Sequence, residues 1–203
     1  SDVYKRQQQG LLDDQLKADI LKQTKLQRVE DLYRPFKQKK KTRATEAKRK
    51  GLEPLAKWLM QSSIDQSPKT YAEAFLNEEV TSVADALAGA QDIIAEWVSD
   101  NPKYRNKILT QTQKRGLITS QKKKKAEDEK KTYEMYYEFS EPIHKIANHR
   151  ILAMNRGEKE KVLSVKIEMD TDSLEREIAR QEIKGQHEGT TYIEAAIKDS
   201  MKR

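Results

Sequence analysis

Apolar residues along this chain recur mainly at three- and four-residue intervals, in short runs that are repeatedly interrupted. That period is the mark of helices with one buried face. Leu12, Leu16 and Ile20 share one such face. Thr24-Lys25-Leu26-Gln27 has the form of a capping box and predicts a second helix, with Leu26, Val29, Leu32, Tyr33 and Phe36 on its apolar side. Pro35 hinders continuation and biases Arg34 away from helix. A helix over Arg43–Lys50 follows, with Glu46 and Lys50 at the favourable i, i+4 spacing and Gly51 placed as a left-handed cap. Pro54 fits the first turn of the next helix, which carries Leu55, Trp58 and Leu59. Ser67-Pro68, Ser82 with Asp85, and Asn101-Pro102 are three further start signals. They introduce helices bearing Tyr71 and Phe75; Val83, Leu87, Ala90, Ile94 and Trp97; and Tyr104, Ile108 and Leu109.

Beyond Arg115 the pattern is more mixed. Gly116–Ser120 reads as a short extended piece, and Gln121–Lys131 as either a charged linker or an exposed helix start. Tyr133, Tyr136, Tyr137 and Phe139 then predict a helix, and Ser140-Glu141-Pro142 opens another with Ile143, Ile146 and Ala147 inward. Asn148 restarts a helix through Ile151, Leu152 and Met154, which Gly157 would cap. VLSVKIEMD, residues 162–170, contains the clear strand: Val162, Ser164, Lys166 and Glu168 alternate with Leu163, Val165, Ile167 and Met169. Helices over Ser173–Ile183 and Thr190–Lys198 complete the reading. The fold class is mainly α, a multi-helix assembly with one or two short β-strands. Tyr33, Trp58, Trp97 and Phe139 are the expected structural anchors.

Composition supports this class and narrows the chemistry. Of 203 residues 36% are charged and 35% hydrophobic, which suits helices with much solvated surface. Seven Gly and five Pro are few for an all-β chain rich in tight turns. With no cysteine there are neither disulfides nor thiolate metal sites, which fits a reducing cytoplasm. No apolar run approaches the ~20 residues that span a bilayer, and no signal peptide is visible. His144 and His149 are five apart, off the i, i+4 spacing of paired helical ligands, so with His187 they read as ordinary surface or hydrogen-bonded histidines. No phosphate loop, nucleophile elbow or calcium-loop spacing occurs. The expectation is a protein without enzymatic activity, metal, cofactor or small-molecule substrate.

Charge supplies the candidate site. Between Arg34 and Lys50 nine basic residues face a single acid, Glu46. Such a run either binds a polyanion without reading sequence or is a solvated loop. Lys39, Lys40, Lys41, Arg43 and Arg49 are the candidate phosphate-contacting residues, or contacts for an acidic partner surface. Lys122–Lys125 is a weaker candidate, because Glu127, Asp128 and Glu129 follow at once. AKRKGLEPLAKWL admits a helix-turn-helix, but Pro54 and Trp58 make a poor recognition face.

Three stretches together resemble one family. VEDLYRPFKQKKKTRATEAKRKGLEPLAKWL (29–59), VADALAGAQDIIAEWVSDN (83–101) and YYEFSEPIHKIANHRILAMNRGEKEKVLSVKIE (136–168) are similar, in order and spacing, to the bacterial Tex transcription accessory proteins. The resemblance covers Leu11–Arg203. It departs from the usual pattern in the lysine-rich 122–125 run and in Asn148, where Ser is usual. It implies a cytoplasmic, nucleic-acid-binding factor related in core architecture to a eukaryotic elongation factor that also chaperones histones. It further implies a YqgF-type RNase H-like domain, helix-hairpin-helix units and an S1-type barrel downstream, the barrel being the main binder of RNA or DNA. Under it, this chain is the N-terminal helical scaffold, including a helix-turn-helix-like unit, with RNA polymerase or the ribosome as candidate protein partners and no membrane partner. The alternative is a protein-interaction scaffold contacting the transcription or translation machinery with no nucleic-acid binding of its own. The implied divisions are 1–7, a non-native remnant; 8–120, the helical region; 121–131, the charged linker or helix start; and 132–203, a second helical segment with its strand.

Overall fold

The computed structural model describes Gln27 and residues 42–201. The helices expected around Leu12–Ile20 and Val29–Phe36, with Tyr33 among them, lie outside the described residues, as do Lys39, Lys40 and Lys41; Gln27 itself is helical. Two compact units are present, one holding residues 42–108 and 170–201, the other Leu109–Met169.

The first unit is helical throughout. Helix α1 (residues 42–49) buries Ala44 and Ala47. It ends as its glycine requires: Gly51 sits at φ +85°, its N–H donates to the Lys48 carbonyl (3.0 Å), and the Leu52 N–H donates to Ala47 (3.1 Å). This Schellman pair satisfies carbonyls that the helix end leaves open. It also turns Leu52 into the core, where 1% of it is exposed. Helix α2 (Glu53–Leu59) carries Pro54 in its first turn and buries Leu55, Ala56, Trp58 and Leu59. Trp58 stacks on Tyr71 of α3 (Pro68–Ala72) with ring centroids 4.0 Å apart. A pair of that kind contributes about 0.5–1.5 kcal/mol beyond area burial.

Helix α4 (Val83–Asp100) is the longest among the described residues, and its buried side holds Ala86, Leu87, Ala90, Ile93, Ile94 and Ala95. Trp97 packs half-buried against the same core. Ser67 and Ser82 each accept a hydrogen bond from the N–H three residues on, at 3.2 and 3.1 Å, as N-caps should. Asn101 likewise accepts from the Lys103 N–H (3.0 Å) at the start of α5 (Pro102–Arg115).

In the other unit a three-stranded antiparallel sheet has β1 (Leu117–Lys122) between β2 (Glu138–Pro142) and β3 (Leu163–Glu168). Thr119 lies opposite Ser140 on one side and Lys166 on the other. Ile118, Ser120, Leu163, Val165 and Ile167 form the buried face, and α6 (Asn148–Lys159) packs against β3. Helices α7 (Asp172–Glu182) and α8 (Thr190–Met201) return to the first unit, with α8 against α4. The described residues thus hold eight α-helices and three short strands, a mainly α chain.

Several local expectations are corrected. The aromatic stretch after the lysines is not a helix: Glu134–Tyr136 is a single 3₁₀ turn and Glu138–Pro142 is strand β2. Tyr133 and Tyr136 bury as expected, and Phe139 is half-buried, edge-on to Tyr136. Spacings of three among aromatics fit a turn feeding a strand as well as they fit a helix. Ser140-Glu141-Pro142 closes β2 rather than opening a helix, and Ile143 and Ile146 bury from the turn that follows. Leu152 faces outward, 53% exposed. Glu46 bonds Arg49 at i, i+3 rather than Lys50. Asn148 begins α6 without a side-chain cap.

Gly157 does not cap α6 but lies inside it, because a Cβ there would meet Leu163 Cδ1 at 2.5 Å and Tyr133 Cδ1 at 3.1 Å. The cap is Lys161, at φ +62°: its N–H donates to Glu158 (3.0 Å) and the Val162 N–H to Gly157 (2.9 Å). Alanine inside a helix normally gains about 1 kcal/mol over glycine. Here the clash outweighs that gain, and Gly157→Ala is expected to cost about 1–3 kcal/mol. Urea unfolding of the two proteins checks it: a midpoint equal to or above the parent's contradicts the packing described.

Candidate nucleic-acid interface

The candidate cations fall into two groups with different surroundings. In helix α1, Arg43 sits 3.8 Å from Asp199 of α8. Arg49 is held by two carboxylates, Glu46 at 3.0 Å and Glu79 at 2.8 Å, which raise its already high pKa further through hydrogen bonds to Glu79 and then Glu46. The same contact with Arg49 holds the Glu46 carboxyl below its ordinary value.

A third contact, which charge density alone does not reveal, is Lys48 Nζ to Glu96 Oε1 at 3.0 Å. Glu96 lies on the buried side of α4, and its bond raises the Lys48 pKa. Removing one partner of such a pair strands a shielded charge. Three cations of α1 therefore tie this helix to α8, to the segment before α4, and to α4 itself. The sequence places Arg43 and Arg49 in one basic run; the structure brings them to separate carboxylates. Helix α2 exposes only Pro54 and Lys57 fully, so it offers no face for reading bases.

The second group lies on the β1–β2 connection. The Lys123 N–H donates to Val162 (2.9 Å), and the Ala126 N–H returns to the Lys123 carbonyl (3.0 Å), closing a turn with Lys124 and Lys125 at its centre. Lys123, Lys124 and Lys125 are exposed, whereas Lys122 lies over the Tyr137 ring, 5.6 Å from its centre.

The acids that follow are not equivalent. Asp128 accepts from the Tyr133 N–H (2.9 Å), the Thr132 N–H (3.2 Å) and the Tyr137 hydroxyl (2.8 Å). These bonds, the Tyr133 N–H foremost, hold its carboxyl below the ordinary range. Tyr133 in turn donates to Glu160 (2.7 Å), and burial followed by that bond pushes its hydroxyl up to about 12. Asp128 is thus a structural member of the loop.

The histidines behave as ordinary residues. His187 Nδ1 accepts from the Gly189 N–H (2.9 Å) while Nε2 meets the Gln61 carbonyl (2.7 Å), which fits the tautomer protonated at Nε2. His144 and His149 are exposed. Among the described residues no group of three or more His, Asp or Glu side chains is placed to hold a metal ion, and no helix is long and apolar enough to cross a membrane.

These features define a mainly helical chain with a strongly charged surface. Comparison with known proteins says which one. The family described as Tex central region-like matches residues 63–202. The chain belongs to that Tex family. It is 48% identical over 97% of its length to "Uncharacterized protein YdcI" of Bacillus subtilis, covering 28% of that protein. It is 31% identical over 82% of its length to "Transcriptional accessory protein Tex" of Neisseria gonorrhoeae, covering 22% of it. It is 28% identical over 89% of its length to the human "S1 RNA-binding domain-containing protein 1", covering 19% of that one. The chain therefore spans between 19% and 28% of these relatives' own lengths.

A depressed carboxyl pKa contributes stability above the ordinary carboxylate value and loses it as pH falls through the folded value. For Asp128 that window lies below about pH 4. Tyrosine near-UV circular dichroism should lose the loop signal there, and Asp128→Asn should flatten that acid limb. An acid limb identical in the two proteins would contradict the role assigned to Asp128.

Proposed function

We propose that this chain is the helical scaffold of a longer, cytoplasmic transcription accessory factor that associates with RNA or DNA. The match to the Tex family over residues 63–202 carries the reading. The names of two relatives support it, one a transcriptional accessory protein and one a protein containing an S1 RNA-binding domain. The geometry is consistent with a scaffold. Helix α1 is fixed by ion pairs, α4 is enclosed by α2, α3 and α8, and the histidines serve turns or solvent. In this reading the chain catalyses no reaction of its own and needs no cofactor.

Phosphate contact within the basic run is assigned to Lys39, Lys40 and Lys41. Arg43 and Arg49 join it only by exchanging a carboxylate partner for a phosphate. RNA polymerase or the ribosome is the proposed protein partner, reached through the charged surface.

Ultraviolet crosslinking in growing cells tests the proposal. The full-length gene product, purified under denaturing conditions, should carry nuclease-sensitive label. Recovery without nucleic acid would contradict nucleic-acid association, and metal-dependent cleavage of RNA or DNA by the 203-residue chain would contradict the scaffold role.

A further inference from the structure

The second unit carries a cationic edge that differs from the braced cations of α1. Between Lys122 and Lys131 six lysines accompany three acids. One of those acids, Asp128, is fully engaged by two backbone N–H groups and the Tyr137 hydroxyl. The Asp128 carbonyl also accepts from the Lys131 N–H (2.9 Å), so a second turn follows the one at Lys124 and Lys125 and places Lys130 at its bend.

The α6–β3 turn lies alongside. Val162 accepts from the Lys123 N–H, and Glu160 accepts from the Tyr133 hydroxyl, so Lys159 and Lys161 belong to the same end of the sheet. The Glu160 carboxylate is occupied by that hydroxyl. Lys123, Lys124, Lys125, Lys130, Lys131, Lys159 and Lys161 are all exposed, and none has an ion-pair partner among the described residues.

Backbone conformation adds an independent observation. Lys131 (φ +51°) and Lys161 (φ +62°) are the non-glycine residues in the left-handed region among those described, and both lie at this edge. Lysine there is strained where glycine would not be. At Lys161 the position is the cap that glycine usually fills, as Gly51 does in the first unit. A cation near the end of α6 is favoured by the helix dipole, which accounts for part of the choice at Lys161. It does not account for Lys131, which follows no helix. Two adjoining turns thus keep a cation where the backbone favours glycine.

We infer that this lysine edge, formed by the β1–β2 connection and the α6–β3 turn, is a contact surface for the phosphate backbone of nucleic acid. The inference goes beyond that reading, because it adds a binding surface separate from the basic run that holds Lys39, Lys40 and Lys41. Several exposed ammonium groups on turns held by backbone bonds can each displace condensed counterions. The depression beside them, lined by Gln121, Lys122, Glu134, Tyr137 and Glu138, is polar and carries acids. Contact is therefore made by charge along the rim rather than by a base in a pocket, and it is independent of sequence.

The test uses the 203-residue chain, a single-stranded RNA and a duplex DNA, with fluorescence anisotropy across a salt series. The parent should bind both, with affinity falling as salt rises. Lys123→Glu, Lys124→Glu and Lys125→Glu together should weaken binding at least about tenfold and flatten the logarithmic salt slope by roughly 0.9 for each duplex phosphate that is no longer neutralised. The second variant, Lys131→Gly with Lys161→Gly, removes two cations while relieving the backbone. It should bind more weakly while melting at or above the parent's temperature, which separates weaker phosphate binding from a failure to fold.

Parent-like affinity and slope in both variants would overturn the inference. So would no binding by the 203-residue chain, even if the full-length product crosslinks to nucleic acid; the scaffold reading would then stand without phosphate contact by this chain, at Lys39–Lys41 as well as at this edge. Polyglutamate competing as well as an oligonucleotide of equal charge would overturn it too, since an acidic protein surface would then be the better partner.

Discussion

The close approach of α1 and Leu52 to α4 is the constraint on which the first unit depends. A Cβ at Gly89 would meet Leu52 Cδ1 at 2.3 Å and the Ala47 methyl at 3.4 Å, so α4 can seat these groups only because position 89 lacks a side chain. Ala86 and Ala90, fully buried beside it, keep the same face small. This packing is what fixes the position of α1 in the unit. The left-handed Gly51 makes the packing reachable, since it reverses the chain within two residues and delivers Leu52 to the gap.

That seating decides what the basic residues of α1 do. With the helix pressed onto α4, Lys48 reaches Glu96, and Arg49 reaches Glu79 just before α4 begins. Exposed ion pairs of this kind contribute little singly. Glu96 is different, because its carboxylate is shielded and would be left uncompensated without Lys48. At the lysine edge of the second unit the order is different: tyrosine hydroxyls and backbone N–H groups engage Asp128 and Glu160, while the neighbouring lysines have no ion-pair partner among the described residues.

Local chemistry explains how much of this was legible. Ser67, Ser82, Asn101 and Gly51 act as caps just where their side chains or missing Cβ indicated, because a cap depends on a few adjacent residues. The alternation in β3 and the apolar stripe of α4 survive for the same reason. The β1–β2 hairpin was not legible: Tyr133, Tyr136 and Phe139 satisfy a helical spacing, and only pairing with Leu117–Gln121 decides for a strand. Gly157 looked like a cap because the side chain that excludes a Cβ there belongs to Leu163, beyond the helix. Of the candidate site, cation density was visible but partners were not. Lys48 and Glu96 are 48 positions apart, and nothing local links them. The family resemblance, by contrast, was carried by the order of three segments, and the Tex match over residues 63–202 confirms it.

The central claim is a division of labour among cations: those of α1 hold the scaffold, and those at the sheet edge face a partner. Nuclear magnetic resonance of the chain titrated with an oligonucleotide tests it most directly, because it reads each group separately. The account expects the amides of residues 122–131 and 159–161 to move with salt-sensitive affinity, while the Arg49 Nε–H signal keeps its carboxylate-bonded position. Movement of the Arg49 signal with a silent lysine edge would contradict it.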